Sequence, residues 1–96
     1  MKRDRRDAWE EIELALGSAG RLKIIQFLTE KPDKTFTRYK LRRTGLKPKD
    51  ITNDLKTLVA LAWVKEQRYG RRTYQINLEN PIVQQFSEFL KKTKYL

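Results

Sequence analysis

The stretch from Leu46 to Trp63, Leu-Lys-Pro-Lys-Asp-Ile-Thr-Asn-Asp-Leu-Lys-Thr-Leu-Val-Ala-Leu-Ala-Trp, constrains this chain more than any other. Ile51, Leu55, Leu58, Val59 and Ala62 fall at i, i+4, i+7, i+8 and i+11, so a helical period lines them along one stripe that has to meet a core. Lys49, Thr52, Asn53, Lys56 and Ala60 take the opposite side. These are mostly short polar or cationic groups able to hydrogen-bond a flat partner, although an ordinary solvated helix face has the same composition. Pro48 suits a first helical turn, where its missing N–H costs nothing, and Thr44-Gly45 reads as the end of a preceding helix. Two helices joined by a tight turn, the second cationic outward, form the arrangement by which a helix-turn-helix enters the DNA major groove.

The flanking segments extend that frame. Asp7 is expected to cap an N-terminal helix, 7–16, with Glu10 completing a capping box and Trp9, Ile12 and Leu16 along one side. Met1 to Arg6 ahead of it is a basic arm, solvated or reaching into a minor groove. After Gly17, Ser18 caps a second helix through Leu22, Ile25 and Leu28, widened by Ile24 and Phe27. Lys31-Pro32-Asp33 is a turn, and Thr35-Phe36 a very short strand. Thr37 then caps a third helix, Arg38 to Thr44, anchored by Tyr39 and Leu41 and ended by Gly45.

Beyond Trp63, residues 64–69 and 72–78 read as two strands, the second alternating with Tyr74, Ile76 and Leu78 to one face. Gly70 supplies the positive φ of the turn, so Arg68, Arg71 and Arg72 project at a hairpin tip. The tip is either a nucleic-acid contact or a solvated hairpin with charged guards against edge pairing. Asn80-Pro81 then opens a C-terminal helix, 80–93, in which Ile82, Val83, Phe86, Phe89 and Leu90 give a broad apolar face.

Charge separates the possible partners. The net +10 is carried by residues 34–96, with fifteen Lys/Arg and five Asp/Glu, because residues 1–33 hold seven of each. Cations concentrated in this way repel one another unless phosphates neutralise them, so a polyanion is expected, nucleic acid first. A membrane surface would want the cations on one long amphipathic helix, which they do not occupy. Cysteine and histidine are both absent, so neither thiol chemistry nor the usual zinc ligand sets can arise, and no enzyme, metal or cofactor is expected. No apolar run approaches the length of about 20 residues that spans a bilayer, and the basic N-terminus lacks the apolar segment of a secretory signal. A cytoplasmic, nucleoid-associated protein is the expectation.

The element order, with Gly-Ser-Ala-Gly-Arg-Leu-Lys-Ile-Ile from Gly17, Tyr-Lys-Leu-Arg-Arg-Thr-Gly-Leu from Tyr39 and Tyr-Gly-Arg-Arg-Thr-Tyr-Gln-Ile-Asn from Tyr69, resembles the short archaeal winged helix-turn-helix regulators of the ArsR/MarR-like group. The resemblance covers Gly17 to Leu90. It implies that the helix of about 48–62 is the recognition helix, that the hairpin tip 68–72 meets phosphate or minor groove, and that the terminal helices make a homodimer. The sequence departs from that pattern where Ala62 replaces a frequent glycine before the first wing strand, and where Lys47-Pro48-Lys49-Asp50 replaces a Ser/Thr-rich helix entry. The cysteine ligands of metal-sensing members are missing.

The expected fold is therefore mainly α with a small β-hairpin: one domain over 1–96, comprising the arm 1–6, the helix 7–16, a winged-helix core 18–79 and the helix 80–93. The expected function is a sequence-specific, double-stranded-DNA-binding transcriptional regulator. Its DNA-binding residues are Arg38, Lys40, Arg43, Lys47, Lys49, Thr52, Asn53, Lys56, Arg68, Arg71 and Arg72. Its dimer interface is Trp9, Ile12, Leu16, Phe86, Phe89 and Leu90. An architectural nucleoid protein with little sequence preference and a winged-helix protein-interaction module are the alternatives, and RNA stays open as a partner. Asn53 favours sequence reading, since Asn can bond adenine bidentately where an architectural surface needs only cations.

Overall fold

The computed structural model describes residues 5–93. Its elements follow in the order α1 (Arg5–Leu16), α2 (Ala19–Thr29), a 3₁₀ helix (Lys40–Thr44), α3 (Pro48–Ala60), β1 (Val64–Gln67), β2 (Thr73–Ile76) and α4 (Pro81–Lys92). The core is built on α2. Ser18 stands in extended backbone and its hydroxyl oxygen accepts from the Arg21 N–H at 3.4 Å, so the helix begins at its expected cap. Ile24, Ile25 and Leu28 are fully buried, and Phe27 packs edge-on against Phe36 with ring centroids 5.0 Å apart. Leu22 lies off the stripe those residues define and is exposed, against expectation.

α2 lies close to α3 at Gly20, where a Cβ would displace the Asp54 carboxylate and touch Leu46. Arg21 spans the same junction, its Nε donating to the Leu14 carbonyl at 2.7 Å and its Nη1 to Asp54 Oδ1 at 3.4 Å. α1 already runs through Asp7, which sits in its first turn and is not its N-cap. A carboxylate there still complements the helix dipole. Of the expected arm, Met1 to Asp4 lies outside the described residues, while Arg5 and Arg6 open α1.

The expected third helix is shorter and tighter than its sequence suggests. Only Lys40–Thr44 is helical, in 3₁₀ form, with the Lys40 N–H bonded to Thr37 Oγ1 at 3.3 Å and Gly45 closing it at φ 86°. Leu41 alone is buried; Tyr39, expected as a second anchor, is 75% exposed beneath the Arg42 guanidinium, 5.7 Å from its ring centre. One apolar anchor is too little to hold several α-helical turns against a core.

α3 buries Ile51, Leu55 and Leu58 and half-buries Val59, as its spacing predicts. Ala62 is not on that stripe. The helix ends at Ala60, and the Trp63 N–H bonds the Leu58 carbonyl while the Ala62 N–H bonds the Val59 carbonyl, both at 3.0 Å. That pair of bonds is a Schellman cap, whose penultimate position is left-handed and usually glycine. Ala62 occupies it at φ 60°. Its carbonyl is held there by two side-chain amides, Asn77 Nδ2 at 2.8 Å and Asn80 Nδ2 at 3.2 Å.

Trp63 then drops into the core and its indole N–H donates to Glu11 Oε2 of α1 at 2.8 Å. β1 and β2 pair antiparallel from Val64 opposite Ile76 to Gln67 opposite Thr73. The expected short third strand is a single bridge, with Phe36 and Tyr74 exchanging two N–H···O bonds of 2.8 Å. Leu78 lies past the end of β2 and is exposed, because Asn77 turns the chain by accepting from the Glu79 N–H at 3.1 Å. α4 starts as expected, with Asn80 Oδ1 accepting from the Ile82 N–H at 2.9 Å ahead of Pro81. Four helices and the hairpin thus make a winged helix-turn-helix with one helix before it and one after.

The strained cap supplies a stability test. A non-glycine residue in the left-handed region costs roughly 1 to 2 kcal/mol, of which about 0.4 to 1 kcal/mol is returned by the lower chain entropy of alanine when unfolded. Ala62→Gly should therefore raise unfolding free energy by about 0.5 to 1 kcal/mol, read as a higher urea midpoint at unchanged slope. A lower midpoint would show that the cap carries no strain.

Candidate nucleic-acid interface

With its apolar stripe buried, α3 turns Lys49, Thr52, Asn53, Lys56 and Ala60 to solvent, and all five are exposed. The hairpin leans over this face. Between them lies a cleft of about 330 Å³ whose walls include Thr52, Asn53 and Lys56 from the helix and Glu66, Arg68 and Arg72 from the hairpin, with Arg38 at its mouth. Six of the expected DNA-binding residues therefore converge on one opening. Arg38, Lys40, Arg43, Arg71 and Arg72 also border a second, larger groove beside the 3₁₀ helix. Lys47 and Lys49 line neither; they stand exposed at the N-terminal end of α3, Lys47 as its N-cap residue.

The polar groups on α3 are not equally available. The Thr52 hydroxyl donates to the Pro48 carbonyl at 3.1 Å and accepts from Arg38 Nη1 at 3.4 Å, so it ties Arg38 to the helix. Among the described residues the Asn53 side-chain amide makes no hydrogen bond, leaving two donors and an acceptor for a partner. Among the described residues Arg71 and Arg72 likewise make no side-chain hydrogen bond, beside Gly70 at φ 68°, although the Arg72 charge acts on Glu66 and Tyr74.

Glu66 is the residue the sequence reading passed over. It pairs across the hairpin with Tyr74, so register alone brings the carboxylate and the phenol together. Arg68 Nε donates to Glu66 Oε1 at 2.8 Å. That bond, followed by one from Tyr74, holds the Glu66 carboxyl below its ordinary value, while burial and then the Glu66 bond push the Tyr74 hydroxyl up. An ionised acid thus sits inside a cationic cleft, paired with Arg68, whose side chain stays largely exposed. The signal was an acid two positions before Arg68, on the same strand face.

No protein-family model and no curated protein matches the chain. Solved structures do. HlyU from Vibrio cholerae N16961 superposes with a TM-score of 0.75 at 18% identity, over 98% of this chain and 100% of that one. The transcriptional repressor BigR from Xylella fastidiosa gives 0.74 at 18%, over 93% and 88%. The homodimeric winged helix-turn-helix DNA-binding domain of Mb0332 from Mycobacterium bovis, a possible ArsR-family transcriptional regulator, gives 0.68 at 20%, over 97% and 87%. At these identities the likeness establishes the fold. Among the described residues no helix is long and apolar enough to cross a membrane.

The Glu66 cluster titrates in a definite direction. Because its folded value is lowered, the ionised acid favours the fold above the ordinary carboxylate range, and this contribution disappears as pH falls through the lowered value. A carbon-13 NMR titration should find the Glu66 midpoint below that of a solvated glutamate, moving upward in Arg68→Ala. An unmoved midpoint would break the assigned cause.

Proposed function

We propose that this chain is a sequence-specific regulator of transcription that binds double-stranded DNA as a homodimer on the nucleoid, resembling the short archaeal members of its group. One observation carries the reading. The unpaired Asn53 amide stands among Lys49, Thr52 and Lys56 on an exposed helix face, and the same cleft receives Arg68 and Arg72 from the wing. A face of α3 laid in the major groove puts Asn53 at base edges, while the wing cations meet phosphate or minor groove. The fold shared with a repressor and with a homodimeric DNA-binding domain supports this assignment.

An architectural reading has an observation of its own. The Thr52 hydroxyl is already engaged by Pro48 and Arg38, so Asn53 is left as the main neutral reader amid cations. Selection of bound sequences from a random duplex pool separates the two: a near-palindrome supports the regulator, and no consensus supports the architectural protein. On the selected site Asn53→Ala should cost about 1 to 3 kcal/mol and little on random DNA, whereas Arg71→Ala should weaken both about equally. Equal losses from both substitutions would remove sequence reading from α3.

The dimer is proposed on the terminal helices. Trp9 is 61% exposed and Phe89 57%, with Ile12, Leu16 and Phe86 half-buried beside them in the chain order of α1 and α4. Leu90, expected at the same surface, is buried within the chain itself. Large apolar side chains left in water on both terminal helices favour a second copy as their cover. A two-fold pairing sets two recognition helices about 34 Å apart, matching half-sites roughly 10 base pairs apart. Phe86 stacks towards Trp63 at 6.4 Å and a charge there threatens the core, so Phe89→Glu is the cleaner probe. Sedimentation at micromolar concentration should find the unmodified protein dimeric and Phe89→Glu a folded monomer; a monomeric unmodified protein would sink the dimer and the palindrome together.

A further inference from the structure

The larger groove has more cations than helix-turn-helix and wing contacts require. It holds about 880 Å³, against about 330 Å³ for the cleft between α3 and the wing. Two of its lining residues, Lys31 and Lys34, come from the turn after α2, outside both the recognition helix and the hairpin, and both are exposed. With Arg38, Lys40, Arg43, Arg71 and Arg72 they surround a trough that no acidic residue lines among the described residues. Asp33, between the two lysines in sequence, is not part of it. Thr35 and Thr73 add neutral donors along the walls.

We propose that this groove binds the phosphodiester backbone of duplex DNA flanking the site that α3 reads. The inference rests on the DNA-binding reading and extends its footprint. Arg38 and Arg72 border both the trough and the α3–wing cleft, so the two openings adjoin at those side chains. Glu66 lines the cleft but not the trough, so a strand that passes from the cleft into the trough meets no further carboxylate. Concentrated cations with no local counter-charge gain most from a ligand that brings several phosphates in a row. A single nucleotide is a poorer fit, because the exposed Tyr39 ring that would stack a base already lies under the Arg42 guanidinium.

The test pairs duplex length with charge. Lys31→Ala/Lys34→Ala is compared with a control of equal charge change, Lys23→Ala/Lys91→Ala, two exposed lysines outside the trough. Each protein is titrated onto a duplex of about 20 base pairs, enough for two half-sites, and onto one of about 40 with the same centre. On the long duplex the salt slope of the Lys31/Lys34 variant should fall by about 1.8 per bound chain relative to the unmodified protein and the control. Between 50 and 200 mM salt the unmodified protein should then lose about tenfold more affinity per bound chain than the variant. On the short duplex the three proteins should coincide. Equal slopes on the long duplex, an equal change on the short one, or a control that behaves like the variant each overturns the flanking site. An unmodified protein that binds neither duplex overturns the DNA-binding reading with it, whereas strong binding indifferent to Lys31 and Lys34 overturns the flanking site alone.

Discussion

The angle between α3 and the hairpin is decided at one corner, where the Ala62 carbonyl is grasped by Asn77 and Asn80 and the next residue sends its indole N–H to Glu11. Each partner belongs to a different part of the chain: Glu11 to α1, Asn77 to the end of the hairpin, Asn80 to the start of α4. Asn80 does two things at once, capping α4 with its oxygen and holding the corner with its nitrogen. Removing Glu11 would leave the indole N–H of the buried Trp63 without its partner, which is costly at a low-dielectric site. The cleft exists because this corner folds the hairpin back over the exposed face of α3.

Charge is organised around the same geometry. Glu11 of the first third serves an internal contact at the corner, and the net positive charge of the chain is carried by residues 34–96. Asp54 and Glu66 are the instructive exceptions. Asp54 is turned towards α2 and occupied by Arg21, so it presents little negative charge to a partner of α3. Glu66 does face the cleft, and its bond to Arg68 replaces an outward cation with a neutral pair. The outward positive charge of the hairpin tip is therefore carried mainly by Arg71 and Arg72.

Much of this was legible in the sequence where residue type and position agreed. Pro48 with Ile51, Leu55 and Leu58, Ser18 before Ile24, Ile25 and Leu28, and Asn80-Pro81 each join a start signal to an apolar period, and each element lies where those signals put it. What escaped depended on contacts remote in sequence. Ala62 fits the α3 period, and only the amides of Asn77 and Asn80 reveal why it leaves the helix. Tyr39 and Leu78 are apolar by type but stay exposed, since the 3₁₀ helix is only five residues long and β2 stops at Ile76. Lys31 and Lys34 look like ordinary turn residues until the bridge at Phe36 carries their loop alongside the wing.

The small size of the hairpin gives it a mechanical character of its own. Four residue pairs with a single bridge to Phe36 are a marginal sheet in water, so its stability is borrowed from Trp63, Tyr74 and Ile76 at its base. The tip from Arg68 to Arg72 has no such support, and Tyr69 at its crest is almost wholly in solvent. Opening the outer pairs breaks few bonds and leaves the buried base intact, which places the tip among the least costly local unfolding events in the molecule. A tip of this kind behaves as a compliant finger on a rigid knuckle: it can yield to the shape of whatever meets it while the helix beside it keeps its place.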